Sequence, residues 1–411
     1  MSPPLLEKKL HPDFRPRLGA LLILSILLSV PGVALAEANT DPISTDLDPN
    51  QRVVAIADIH GAFDPLRYIL RQADLIDEED RWVGGRTILV QTGDFLDRGA
   101  ESVAVARFLR RLQQEAPESG GRVIVLLGNH EVLNMINDLR YVTNDILTPF
   151  IDEESEKRYR KHCNDYAKFL RRQAARSGAD LNSQRQAFSE CKAKKAFGIL
   201  EYIEALGPNG ELGQWLRTLP AVAQLGNVVF LHGGVSPSYV GRSVDSINAE
   251  VAAAIASFDA GYAYLLEQKA ILPTSSLSDI VRAGRTVAER ATDKGKPVPP
   301  EVETLIDFPN SILVHNQGPL WFRGYAKWDD EQGRTALPPI LESLGARHIV
   351  VGHTPQHSHD IVPRFDDSIF LIDTGMLTNY YEGRASALEI QGGAFRALYA
   401  NGEPQVIYRT E

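Results

Sequence analysis

Five short clusters in the chain combine residue types that could do chemistry together. They are Asp58-Ile59-His60-Gly61, Gly93-Asp94-Phe95-Leu96-Asp97-Arg98-Gly99, Gly128-Asn129-His130-Glu131, His232-Gly233-Gly234 and Gly352-His353-Thr354-Pro355. Asp58, His60, Asp94, Asn129, His232 and His353 offer hard oxygen and imidazole nitrogen. That donor set suits Mn²⁺ first, with Fe or Zn²⁺ as alternatives, and not an all-oxygen Ca²⁺ cage. With 2 Cys in the chain there is no cysteine-ligated cluster. Six donors exceed what one tetrahedral ion takes. They fit two cations sharing a bridging carboxylate, as in hydrolases whose ions lie about 3.5–4 Å apart. Singly, each cluster has a plainer reading. Asp-x-His after a strand can be a turn, Gly-Asn-His a loop, and His232 a hydrogen-bonded core residue. Their joint order along the chain favours the metal reading.

Each cluster follows an apolar run. Val53 to Ala57, Thr87 to Val90, Arg122 to Leu127, Val228 to Leu231 and His348 to Val351 read as buried strands. Pro65 to Ala73 and Ser102 to Leu112 read as helices between them. Alternating strands and helices predict an α/β fold with a mainly parallel sheet. Ligands then gather at the carboxyl ends of the strands, where the five clusters fall. Two stretches, about 134–219 and 240–306, are helical insertions. The chain closes with short strands at Ile369 to Ile372, Ser386 to Ile390, Ala394 to Tyr399 and Val406 to Tyr408.

Residues 1–36 read as a secretory signal peptide: basic residues, an apolar stretch from Leu18 to Val30, then Ala34-Leu35-Ala36. The alternative is an uncleaved membrane anchor. Residues 37–51 read as a flexible leader and 52–411 as the catalytic domain. The expected location is periplasmic or secreted. With 43 basic and 53 acidic residues the formal charge is −10, which argues against a nucleic-acid partner held by phosphate neutralisation. Export makes a disulfide between Cys163 and Cys191 reasonable, with two unrelated thiols as the other reading. Lys157 to Leu200 holds 12 basic and 3 acidic residues. It is either a cap that attracts phosphorylated substrate or a set of solvated helix faces.

The pattern Gly93-Asp94-x-x-Asp97-Arg98-Gly99 with Gly128-Asn129-His130-Glu131 resembles metallophosphoesterases of the calcineurin-like superfamily, and among them the phosphoprotein phosphatases. The longer stretches Gly128 to Met135, Asp138-Leu139-Arg140-Tyr141 and Gly318-Pro319-Leu320-Trp321-Phe322-Arg323-Gly324 resemble the Shewanella-like protein phosphatases. The resemblance implies a four-layer α/β/β/α sandwich with helical insertions. It implies two divalent cations, one on Asp58, His60 and Asp94, the other on Asp94, Asn129, His232 and His353. A hydroxide bridging them would attack phosphorus directly. His130, oriented by Asp97, would protonate the leaving oxygen. Arg98 and Arg323, with Asn129, would hold the phosphate; Arg323 could instead stack in its aromatic segment. Arg140 reads as a surface arginine, with a third phosphate contact as the other reading; His357 and His359 read as solvated loop residues, with ligation beside His353 as theirs; His315 stays unassigned. Two departures stand out. Ala57 precedes Asp58 where glycine is usual. Pro355 follows where many superfamily members carry a second histidine, which leaves one cation with three protein donors and more water. The implied substrate is a phosphorylated protein or peptide at serine, threonine or tyrosine. A small phosphate ester or nucleotide is the alternative, and a non-catalytic binding module a remote one.

Overall fold

The computed structural model describes residue 48 and residues 50–177, 181–400 and 402–409, with only the backbone of 175–177, 181–184 and 187. The signal-peptide segment and nearly all of the leader lie outside the described residues. Along the chain run β1 (Val53–Ile56), α1 (Phe63–Gln72), β2 (Ile88–Gln91), α2 (Ser102–Glu115), β3 (Arg122–Val125) and α3 (Asn129–Met135). The first insertion carries α4 (Asn144–Leu147), α5 (Ser155–Ser177), α6 (Leu181–Lys194), α7 (Ile199–Leu206) and α8 (Glu211–Leu216). After β4 (Val222–Leu225) and β5 (Val228–Leu231), the second insertion holds α9 (Val244–Glu267), α10 (Leu277–Asp293) and α11 (Pro300–Ile306). Then follow α12 (Gly324–Lys327), α13 (Asp330–Leu344), β6 (His348–Val351), β7 (Val362–Arg364), β8 (Ile369–Leu371) and α14 (Thr378–Tyr381). Strands β9 (Ser386–Gln391), β10 (Ala394–Tyr399) and β11 (Gln405–Arg409) come last.

The strands form a six-stranded sheet, β11-β10-β9-β1-β2-β3, and a five-stranded sheet, β4-β5-β6-β8-β7. Strand alternation sorts their side chains. Val53, Ala55, Ile88, Val90 and Ile124 of one sheet share a core with Phe230, Val350 and Phe370 of the other. The intervening Val54, Ile56, Leu89, Val123 and Val125 join the core that includes the helices. A strand buried on both faces has no polar side, so its sequence is a continuous apolar run. Truncating Phe230 or Phe370, both fully buried, would cost about 3–5 kcal/mol.

Both sheets are mixed, as the four-layer reading implies, although the strand–helix alternation alone suggested a mainly parallel sheet. β1-β2-β3 and β5-β6-β8 are parallel cores, flanked by antiparallel β9, β10 and β11 in one sheet and β4 and β7 in the other. Connections of a few residues, as between β4 and β5, cannot make the crossover a parallel neighbour needs. The run from Ala221 to Leu231 is therefore a hairpin. Cys163 on α5 and Cys191 on α6 form a disulfide, with Cα atoms 5.8 Å apart. On the same hairpin Arg160 pairs with Glu156, and Lys161 and Lys168 both pair with Asp165. These basic residues occupy exposed helix faces. Among the described residues, no helix is long and apolar enough to cross a membrane.

Candidate active site

Parallel register brings the clusters to one edge. Ile56, Gln91 and Val125 are partners across β1, β2 and β3, so Asp58, Asp94 and Asn129 emerge together just beyond them. In the second sheet Leu231 pairs with Val351, which sets His232 and His353 on neighbouring loops. The two loops after β2 and β3 meet backbone to backbone. Gly93 has φ +92, and a Cβ there would lie 2.4 Å from the amide nitrogen of Gly128, so only glycine fits. Glu131 ties these loops: its carboxylate accepts from the backbone N–H groups of Asp94, Phe95, Leu96 and Gly128 at 2.7–3.0 Å. Burial, then Asp94, push that carboxyl up to about 7 against the pull of its amide donors.

Five of the candidate residues have left-handed backbone: His60, Asp94, Asp97, Arg98 and His353, with φ from +48 to +69. Such non-glycine conformations cost roughly 1–3 kcal/mol each and persist where the surroundings over-determine them. Here the aspartates, histidines and arginine are kept because their side chains are needed where they point.

The three candidate histidine ligands share one arrangement. His60 Nδ1 lies 2.8 Å from the carbonyl of Leu96, His232 Nδ1 3.0 Å from that of Thr92, and His353 Nε2 3.2 Å from that of Trp321. Each of these nitrogens must donate, which leaves the other ring nitrogen as a lone pair. His232 Nε2 then sits 2.9 Å from Asn129 Oδ1, 2.9 Å from His353 Nδ1 and 3.2 Å from Asp94 Oδ2. His60 Nε2 sits 3.6 Å from Asp94 Oδ2 and 3.8 Å from Asp58 Oδ2. Around His232 lone pairs face lone pairs and repel unless a cation lies between them, and at His60 Nε2 the Arg98 guanidinium brings positive charge; this donor set fits divalent metal ions.

The charges say the same. Burial, then Asp373, push Asp58 well above the usual carboxylate range. Burial would also raise Asp94, but His232, His130 and His60 hold it well below. Burial drives His60 and His353 well below the usual imidazole value, whereas at His232 the fields of Asp94 and Asp58 overcome burial and raise it. The buried carboxylates create a field that positive charge would relieve.

His130 differs from the other histidines. Its Nδ1 bonds Asp97 Oδ2 at 2.7 Å, and its Nε2 lies 3.9 Å from Asp94 Oδ2. A ring nitrogen of His130 also lies within ligand range of a His60 ring nitrogen and an Asp94 carboxylate oxygen, but where each of the other three histidines has a nitrogen held by a carbonyl, its Nδ1 is held by a carboxylate. Asn134 Nδ2 donates to Asp97 Oδ1 at 3.0 Å, and Tyr202 Oη donates to Asn134 Oδ1 at 2.7 Å. Tyr202 belongs to α7, so the first insertion buttresses the pair. Arg98 contacts His60 Nε2 and has the rings of Tyr380, Tyr381 and Tyr141 at 5.4, 5.4 and 5.6 Å. Arg323 does not stack. Its Nη1 donates to the His353 carbonyl at 2.7 Å and to Thr354 Oγ1 at 2.9 Å.

All ten candidate residues thus gather at one edge. Arg140 pairs with Asp138 at the surface, His357 is exposed, and His359 and His315 are absent from the cluster. The sequence reading passed over four contributors. Tyr202, Tyr380 and Tyr381 carry no local signal. Asp373 does: the apolar run of β8 ends in Asp373-Thr374-Gly375, the same strand-then-polar pattern. Burial pushes the Asp373 carboxyl up to about 7.

Two mixed sheets sharing one core, with this cluster at the carboxyl ends of their parallel strands, define a metallophosphoesterase architecture. The profile of calcineurin-like phosphoesterases matches residues 51–357, and the chain belongs to that family. It is 33% identical to Shewanella-like protein phosphatase 2 of Arabidopsis thaliana over 242 residues, 57% of this chain and 60% of that protein. The chain thus spans less than two thirds of that relative. It is 27% identical to Shewanella-like protein phosphatase 1 of Plasmodium berghei (strain Anka) over 354 residues, 85% of this chain and 74% of that one. In fold it matches a cold-active protein-tyrosine phosphatase of a psychrophilic Shewanella species, with TM-score 0.56, 22% identity, and coverage of 89% of this chain and 84% of that one. The resemblance read from the sequence motifs holds.

Proposed function

We propose that the protein is an exported phosphomonoesterase using two divalent cations to dephosphorylate protein or peptide side chains, with phosphotyrosine favoured. The observation that carries the reading is the Asp97–His130 pair beside the converging donors of Asp58, His60, Asp94, Asn129, His232 and His353. When bound, the cations supply deprotonated water at neutral pH and neutralise phosphoryl charge. Arg98 and Arg323 hold phosphoryl oxygens with their planar forks. His130 gives its Nε2 proton to the ester oxygen as the P–O bond breaks, while Asp97 accepts Nδ1–H and stabilises the imidazolium before that transfer. The products are inorganic phosphate and the free hydroxyl.

The aromatic setting of Arg98 supports an aryl ester. Tyr380 is 59% exposed and flanks the guanidinium together with Tyr381 and Tyr141, so a substrate ring has partners to stack on. The Cys163–Cys191 bridge supports export, because disulfides persist in oxidising compartments. Mn²⁺ remains the first choice of metal from the donor types.

The test is a kinetic panel after chelation and reloading with Mn²⁺, Zn²⁺ or Fe²⁺ separately. Phosphotyrosine, phosphoserine and phosphothreonine peptides are compared with nucleotides and sugar phosphates. Reloading should restore hydrolysis, highest on phosphotyrosine peptide, and Asp94→Asn should stay at the level of the chelated protein. Full activity in Asp94→Asn contradicts the mechanism. Preference for nucleotides or sugar phosphates replaces the protein substrate with a metabolite. N-terminal sequencing of the exported form should begin at Glu37.

A further inference from the structure

Six parallel strands, not five, end at this edge: β1, β2, β3, β5, β6 and β8. Val351 of β6 pairs with Leu371 of β8, so His353 and Asp373 each stand two residues beyond a matched position. Ile372 N–H donates to the Val351 carbonyl, and Gln356 N–H to the Asp373 carbonyl, both at 2.9 Å. Asp373 is 1% exposed. Its Oδ1 accepts from the backbone N–H of Gly375 at 3.0 Å, and its Oδ2 is buried with no hydrogen-bond partner among the described residues. The loop is fixed by Thr374 Oγ1, which donates to the Arg384 carbonyl at 2.7 Å and lies 2.7 Å from Ser386 Oγ. The charges acting on Asp373 are Asp58 and Asp94, and the guanidinium groups of Arg98 and Arg323.

A buried carboxylate oxygen without a donor is costly, and one that stands among charged neighbours calls for a cause, such as an ion or an ordered water bound beside it. Donor counting says where. Asp94, Asn129, His232 and His353 are four donors, whereas Asp58, His60 and Asp94 are three, since Pro355 adds none. The poorer set must be completed by water. Such a water donates hydrogen bonds, and Asp373 Oδ2 is the free buried acceptor beside Asp58.

We propose that Asp373 is a positioning residue for the cation held by Asp58, His60 and Asp94, accepting a hydrogen bond from the water that completes that set. The inference rests on the two-cation reading above. Outer partners of this kind are worth about 10–100-fold in metal affinity.

The experiment is equilibrium dialysis of the chelated protein against Mn²⁺, with bound metal counted by elemental analysis and the metal-free melting temperature measured beside it. His60→Ala and His353→Ala identify which binding step belongs to which donor set. Wild type should take up two equivalents. Asp373→Asn and Asp373→Ala should weaken the step that His60→Ala removes by about 10–100-fold, and leave the other at its wild-type affinity. Thr374→Val, which loosens the same loop but keeps the carboxylate, should lower the melting temperature and bind Mn²⁺ like wild type. Unchanged binding in Asp373→Asn overturns the assignment. So does equal weakening of both steps, which marks Asp373 as merely structural. Wild type holding fewer than two equivalents overturns the two-cation reading itself, and this inference with it.

Discussion

The carboxyl edge of the sheets and the α5–α6 hairpin are built on opposite terms. At the edge, Asp58, Asp94, Asp97, His60, His130 and His232 are all at most 4% exposed, and several sit on left-handed backbone. In the hairpin, charged residues stay in water on their own helix faces, and its two helices are joined by a covalent bond. Desolvated charge and strained backbone are unfavourable for stability, and they are concentrated where a cation and a phosphate would repay them. Among its described residues the α5–α6 hairpin has neither left-handed backbone nor buried charged side chains. What the first insertion gives the site passes through α7, where Tyr202 closes the chain of hydrogen bonds behind Asp97.

That contrast can be broken by substitution. The largest expected effect is at His130. His130→Asn should lower kcat on an aryl phosphate by about 10²–10⁴-fold, the worth of a positioned general acid, while bound metal stays at the wild-type count. Loss of metal along with rate would make His130 a ligand and redraw the edge. Next comes the staple. Cys163→Ser with Cys191→Ser should cost about 3.5 kcal/mol of unfolding free energy in denaturant titrations, from a closed loop of 28 residues. Its kcat should not change; a fall in kcat would show that the hairpin reaches the chemistry.

A smaller effect is expected where the two regions meet. Tyr202→Phe removes one hydrogen bond to Asn134, worth about 1 kcal/mol. It should lower kcat by about 5-fold with KM unchanged, because the bond bears on Asp97 and not on substrate. The smallest effect lies at the opposite end of β6. Burial lowers the His348 pKa; its Nδ1 bonds the Asp367 carbonyl at 2.8 Å, and its Nε2 is buried without a partner among Phe370, Phe395 and Tyr408. Arg347 opposes and Asp367 favours its charged form. The unfolded ring takes up a proton near its ordinary value of about 6.5 and the folded ring below it. Stability present above that value is therefore lost as pH falls through it. Melting temperature should drop between about pH 7 and pH 5, and less steeply in His348→Phe. Parallel slopes would remove His348 from the account.

Much of the site was legible before any coordinates, for one physical reason. A strand buried on both faces is an uninterrupted apolar run, so the first polar residues after it mark the strand's end. Five such ends were found that way, and applying the same rule to β8 would have found Asp373. Antiparallel partners were harder to see. Four residues of β4 and three of β7 are too short to show a period, and their pairing depends on what lies beside them. Glu131 was visible as part of a motif, but its four amide contacts were not, since they come from two loops.

The sequence by itself determined which residues have the chemistry to bind cations and where strands must stop, because residue chemistry and apolar continuity are local properties. Only the tertiary structure decided that Asn129, His232 and His353 meet at one point with Asp94, that each ligand histidine has one nitrogen tied to a carbonyl, and that Asp373 stands among them. Those facts depend on the register of strands far apart in the chain, which no local pattern encodes.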